Sequence, residues 1–118
     1  MSRSRIRVRV DTSKIQPKLA SATKRARFLV AQQVLKDSNR FAPRDIGNLI
    51  DSSVRASNLD EGLVAWDTPY ARKLYFGVRM NFSRDKNPSA GPMWYERARA
   101  AHLPEWVNVA KNAMRDTL

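Results

Sequence analysis

His102 is the one histidine in a chain of 118 residues that has no cysteine. A zinc site around it would need carboxylates to complete it, and no H-E-x-x-H spacing supplies them. It stands beside Pro104 at the end of a predicted helix. There a plainer role suits it, interaction with the negative end of the helix dipole. Asp60 and Glu61 are neighbours, so on a strand or in a turn they diverge and cannot flank a glycosidic bond. Asp45 and Asp51 would share a helix face only if that helix began early, which Gly47 opposes. No serine forms a strand-to-helix elbow with Asp and His partners. The glycines stand at 47, 62, 77 and 91, too scattered to form a phosphate-binding loop. These residues point away from an enzyme, and no cofactor and no metal is expected.

Charge and aromatic rings offer a different chemistry. The chain has 22 Lys and Arg against 11 Asp and Glu, a formal charge of +11. Residues 1–27 hold nine basic residues and one acidic residue, Asp11. Such a balance attracts nucleic acid, an anionic membrane or an acidic protein surface. Tyr70, Tyr75, Phe76, Trp94 and Tyr95 could stack on bases. Their helical spacings fit half-buried core aromatics better. No helix-turn-helix, zinc-finger or RNA-recognition signature accompanies them.

The elements that would position these residues follow from hydrophobic periodicity. Ile6, Val8 and Val10 alternate with Arg5, Arg7 and Arg9, the pattern of a half-buried strand. Asp11, Thr12 or Ser13 can cap a following helix, with Pro17 near its start. Leu19, Ala22, Ala26, Leu29, Val30, Gln33 and Val34 then form an apolar stripe up to Asn39. Pro43 and Gly47 break the chain, and Asp45 or Asn48 can cap a short helix over Leu49–Val54. A strand is predicted to begin within Arg55–Asn58, turn through LDEG and return as Leu63–Trp66. Pro69 and Gly77 frame a short helix in which Tyr70 and Leu74 pack inward while Arg72 and Lys73 reach out. A polar loop, Asn81–Ser89, carries Arg84 and Lys86. Two closing helices are predicted, one over about Pro92–Ala101 with Trp94, the other starting at Pro104 with Trp106.

The basic N-terminus is followed by no apolar h-region, and no window approaches the length of a membrane span. The closing helix mixes Glu105, Asn108, Lys111, Asn112 and Asp116 on its polar face, unlike a cationic membrane-surface helix. Synthesis in the cytoplasm and no membrane partner are expected.

Three ordered blocks carry a family resemblance: AP-x-D-x-GNL-x-DS at 42–52, WDTPYARKLYFG at 66–77 and NPSAGPMWYERARAAHLPEWVNVAK at 87–111. Together they resemble the minor capsid proteins of tailed bacteriophages, of the head–tail connector and tail-completion type. Tyr70, Ala71, Arg72, Tyr75 and Gly77 match the aromatic segment of that family. Asn87, Pro88, Ala90, Pro92 and Trp94 match its loop-to-helix segment. Ile46 stands where threonine is common. The resemblance implies a non-enzymatic virion protein that forms a homo-oligomeric ring at the head–tail junction. Its neighbours there would be adaptor or stopper and tail-terminator or tail-tube proteins, with non-specific contact to passing DNA.

The expectation for fold is therefore one α+β domain over 1–118. A long N-terminal helix packs on a small, mainly antiparallel sheet, with short C-terminal helices. Arg5, Arg7, Arg9, Arg72, Lys73, Arg84 and Lys86 are the candidate contacts to protein partners or to DNA in a lumen. Pro69, Tyr70, Leu74, Tyr75, Gly77, Pro92, Trp94 and Trp106 are the structural motif behind them. The alternative function is a basic accessory protein that binds DNA non-specifically.

Overall fold

Alternating side chains at the N-terminus produce the strand they predict. The structure, a computed structural model, describes residues 5–10, 20–44, 48–77 and 89–117. Strand β1 (Ile6–Arg9) buries Ile6 and leaves Arg5, Arg7 and Arg9 exposed. It pairs antiparallel with β2 (Leu63–Trp66), placing Ile6 opposite Trp66 and Arg9 opposite Leu63. These two strands form a two-stranded sheet.

Helix α1 (Ala20–Asn39) turns Ala26, Val30, Ala31 and Val34 into the core. Its main partner is helix α4 (Trp94–Thr117), which contributes Ala98, Trp106, Ala110, Ala113 and Met114. Alanines on both faces let the two backbones approach closely, so the helices pack on each other more than on the small sheet. Sequence periodicity identified the α1 stripe but assigned it to the sheet, whereas it meets chiefly α4.

The predicted strand over Arg55–Asn58 does not form. Helix α2 instead runs Leu49–Ala56, and only Asn58 pairs, through an isolated bridge to Leu63. Asn48 occupies the N-cap position of α2 but makes no side-chain capping bond. Ser52 and Ser53 hydroxyls donate to the carbonyls of Leu49 and Ile50 inside the helix, both over 2.6 Å. The edge of β2 that such a strand would take lies opposite β1 and is closed instead by Ser52 and Ser57 hydroxyls. LDEG becomes a 3-10 turn at Leu59–Glu61, ended by Gly62 in the left-handed region with φ 73°. A Cβ on Gly62 would lie 2.8 Å from the Val10 carbonyl and 2.7 Å from Arg27 Cγ, so this position has no room for a side chain.

Helix α3 (Ala71–Tyr75) buries Ala71, Leu74 and Tyr75. Tyr70 does not pack inward as expected: it is 61% exposed. The helical phase starts at Ala71, and Tyr70 has non-helical backbone at the N-cap. Its four-residue spacing from Leu74 therefore does not bring the two onto one face.

The two predicted closing helices are one. α4 passes through Pro104 without ending. A proline there removes the bond to the Ala100 carbonyl and costs roughly 3 kcal/mol in a helix interior. Pro104 is exposed, so the freed carbonyl can meet water, and burial of Ala98 before it and Trp106 after it holds both flanking turns. His102 consequently sits mid-helix rather than at a helix end. Its Nδ1 lies 3.2 Å from a Glu105 carboxylate oxygen.

Arg97 clips the chain before α4 to the segment after α1. Its Nε donates to the Pro92 carbonyl, Nη1 to Ser89 and Nη2 to Phe41, over 2.8, 3.0 and 2.9 Å. The guanidinium also lies 5.1 Å from the centre of the Phe41 ring. Trp94 meets Tyr75 and Trp66 edge-on, with ring centres 4.6 and 5.9 Å apart, and so joins α4 to α3 and to the sheet. The cap at Asp11, Thr12 or Ser13, the helix start near Pro17, Leu19 and the turn at Asp45–Gly47 lie outside the described residues. So do the side chain of Ala22 and most of the loop carrying Arg84 and Lys86.

Candidate interaction surface

The two edges of the sheet are treated differently. The register places the backbone of Leu63, Ala65 and Asp67 on the outer edge of β2. All three amides are satisfied there. Leu63 donates to the Asn58 carbonyl over 2.8 Å, Ala65 to Ser57 Oγ over 2.9 Å and Asp67 to Ser52 Oγ over 3.3 Å. Helix α2 and the residues that follow it thus cover this edge with hydroxyls, a closure that needs no third strand.

Among the described residues β1 has no such cover. Val10 donates to the Gly62 carbonyl over 2.7 Å, which fixes the even-numbered residues as those bonded to β2. The amides and carbonyls of Arg7 and Arg9 therefore point outward. Among the described residues nothing bonds to them. Their side chains form an exposed row with Arg5 on one face of the strand.

Beside this edge runs a groove. A hollow of about 540 Å³ is lined by Val8 of β1, Val10 just after it, Val30 and Val34 of α1, and Tyr95, Leu103, Trp106 and Val107 of α4. Arg9 and Lys111 are its basic members. A second hollow of about 340 Å³ continues along Arg5–Val8 and is bounded by Arg72, Tyr75, Phe76, Tyr95 and Glu96. Val8 and Tyr95 belong to both. Leu103 and Val107 are 38% and 42% exposed in the larger hollow, which is mainly apolar, while Phe76, 57% exposed, lies among Arg5, Arg7, Arg72 and Glu96 in the smaller.

The corner TPYARKLYFG sits at the second hollow. Tyr75 and Leu74 anchor it in the core, while Tyr70, Phe76 and Lys73 lie outside. Arg72 lies 5.7 Å from the centre of the Phe76 ring, and Tyr75 meets the same ring edge-on at 5.2 Å. Buried anchors thus hold an exposed ring and a cation beside β1. Pro69 is exposed at the entrance of the corner, and Gly77 is half-buried at its exit. Pro92 is half-buried and is held by Arg97.

One ion pair faces the sheet from the α2 side. Arg55 binds Asp67 through two bonds of 2.6 and 3.1 Å. The hydrogen bond from Arg55 holds the Asp67 carboxyl below the ordinary carboxylate range, against a partial burial that pushes it up; Arg55 and Arg5 add favourable charge. The same bond raises the guanidinium pKa of Arg55.

Among the described residues the smaller hollow places one acid, Glu96, among Arg5, Arg7 and Arg72. The larger hollow holds Arg9 and Lys111 and no acid or histidine. Among the described residues no group of three His, Asp or Glu could hold a metal ion. No helix among them is long and apolar enough to cross a membrane.

The structure brings Arg5, Arg7, Arg9, Arg72 and the exposed Phe76 ring to one groove, an adjacency that the sequence did not reveal. Arg84 and Lys86 lie outside the described residues. Leu74, Tyr75, Trp94 and Trp106 are core residues. Sequence reasoning missed Arg55, Asp67 and Arg97, whose partners are far along the chain. It also missed Asp37, although a signal existed: Asp37 continues the α1 stripe one turn beyond Val34, and an acid on an apolar stripe calls for a buried partner.

A family model described as minor capsid protein matches residues 6–114, from the first residue of β1 to the end of the buried face of α4. No curated protein and no solved structure matches the chain.

Proposed function

Because this chain belongs to the minor capsid protein family, we propose that it is a structural subunit of the phage head–tail junction, part of a neck or tail-completion ring. The observation that carries this reading is the groove beside the uncovered β1 edge. It is an apolar, hydrogen-bond-capable and basic surface that needs partners, with no chemistry of its own. A ring subunit requires two unlike lateral surfaces, because head-to-tail contacts close only by rotation. The open β1 side would then face a neighbouring layer, and copies of the chain would meet through other surfaces. Its neighbours on that reading are further copies of the chain, adaptor or stopper layers and tail-terminator or tail-tube proteins. A nonsense mutation of the gene in its phage tests it. Filled heads and finished tails that fail to join are expected, and normal joined particles would overturn it.

The exposed row Arg5, Arg7 and Arg9, with the net charge of +11, favours a second reading, non-specific contact with DNA. Neutralised phosphates release counterions, so such binding falls steeply with salt. Light scattering at low and high salt, with and without short duplex DNA, separates the readings. An oligomer indifferent to DNA supports the ring. A monomer that shifts only with DNA at low salt supports an accessory DNA-binding protein.

A further inference from the structure

The geometry points to β1 as the docking edge for an extended strand of a different virion protein, one whose residues alternate acidic and apolar. This deepens the assembly reading, on which it rests only for the partner being a virion protein.

Three features specify the occupant. First, Arg7 and Arg9 present two amides and two carbonyls outward in strand register, with no partner among the described residues. Main-chain pairing is what such an edge offers, and an incoming strand satisfies all four groups. Second, the groove beside the edge is apolar on the side of Val8 and Val10 and continues over Leu103 and Val107. A strand paired to β1 would place every second side chain into it. Third, the intervening side chains of that strand would lie on the face of Arg5, Arg7 and Arg9. Opposite charges across strands stabilise a pair, and like charges directly opposite destabilise it.

The same argument excludes a second copy of the described chain as the occupant. Two β1 strands meeting edge to edge would oppose arginine to arginine. β2 has both its edges filled already. Arginines on an open edge discourage self-pairing, and here they also select an acidic partner. The role of α2 fits this division: it closes the edge that is not for docking.

The test uses the whole protein and a blocked six-residue peptide alternating glutamate and valine, followed by amide hydrogen exchange and chemical shifts. Saturable binding should slow exchange at Arg7 and Arg9 by about tenfold when peptide is at about ten times its Kd, with shifts at Val8, Tyr95 and Val107. A peptide of three glutamates followed by three valines, and one N-methylated on the edge facing β1, should both fail. Val107 is exposed, so Val107→Glu should fold normally and lose binding. Equal binding of the block peptide would overturn the proposal and leave a mere charge attractor. So would absence of binding, unaltered binding to Val107→Glu, or protection of Arg7 and Arg9 by protein concentration alone, which would mean self-pairing. Unjoined heads and tails together with a peptide that does not bind would sink this inference while leaving the junction reading intact.

Discussion

Trp106 Nε1 of α4 donates to Asp37 Oδ2, near the end of α1, over 2.7 Å, linking two residues far apart in the chain. Asp37 is 1% exposed and also accepts from Gln33 over 3.2 Å. A buried carboxylate is tolerated only when its lone pairs are occupied. Trp106→Phe removes the shortest bond to this carboxylate, leaving Oδ2 with only the 3.2 Å bond from Gln33, and removes ring volume. The expected loss is about 3 kcal/mol of unfolding free energy in urea, with the helical circular dichroism retained. A loss under about 1 kcal/mol would mean that water replaces the indole.

Gly62 carries two constraints that one pair of variants separates. Its φ of 73° alone would cost alanine roughly 1–2 kcal/mol. The Val10 carbonyl, 2.8 Å from any Cβ, adds a clash that cannot be relieved while Val10 keeps its 2.7 Å bond to Gly62. Gly62→Ala and Gly62→Asn should both lower the Tm strongly, although asparagine tolerates the left-handed region. Near-normal stability of Gly62→Asn would show that backbone angle alone matters.

The Arg97 clip depends on a planar fork. Lysine keeps the charge but cannot reach three carbonyls at fixed angles or stack on Phe41 in the same way. Arg97→Lys should cost about 1–3 kcal/mol in thermal unfolding. Gly91→Ala should cost less, because a Cβ there meets the tip of Arg97 at 3.1 Å, a side chain with some freedom to yield.

Asp67 gives a pH dependence of known sign. Its pKa is lower in the folded chain than in the unfolded one, which lies near about 3.9. The unfolded state therefore binds more protons in this range, and stability rises with pH. The contribution is complete above the unfolded value and is lost as pH falls through the folded one. Asp67→Asn should melt below wild type at pH 7, and the gap should close as the pH is taken below about 4. A gap independent of pH would mean that the pair acts by packing. High salt should narrow the gap only modestly, since the contact is a paired hydrogen bond as well as an ion pair.

Much of this protein is determined by local sequence. The alternation at Arg5–Val10 specifies a strand with one basic face, and the stripe from Ala26 to Val34 specifies α1. Ala71, Leu74 and Tyr75 specify α3, and the α+β class follows from these elements together. Each rests on period and side-chain type, which act over one or two turns of chain. Tertiary structure decided the rest. Pro104 reads as a helix start, yet burial of Ala98 and Trp106 against α1 carries α4 through it. Arg55–Asn58 reads as a strand, yet β2 takes β1 as its neighbour and lets α2 cover its other edge with Ser52 and Ser57. Tyr70 reads as a core residue until the helical phase is seen to begin one residue later. The interaction surface belongs wholly to this second kind. An open strand edge, an apolar groove and a row of arginines become one surface only when β1, α3 and α4 meet, because an edge is open or closed by what packs beside it.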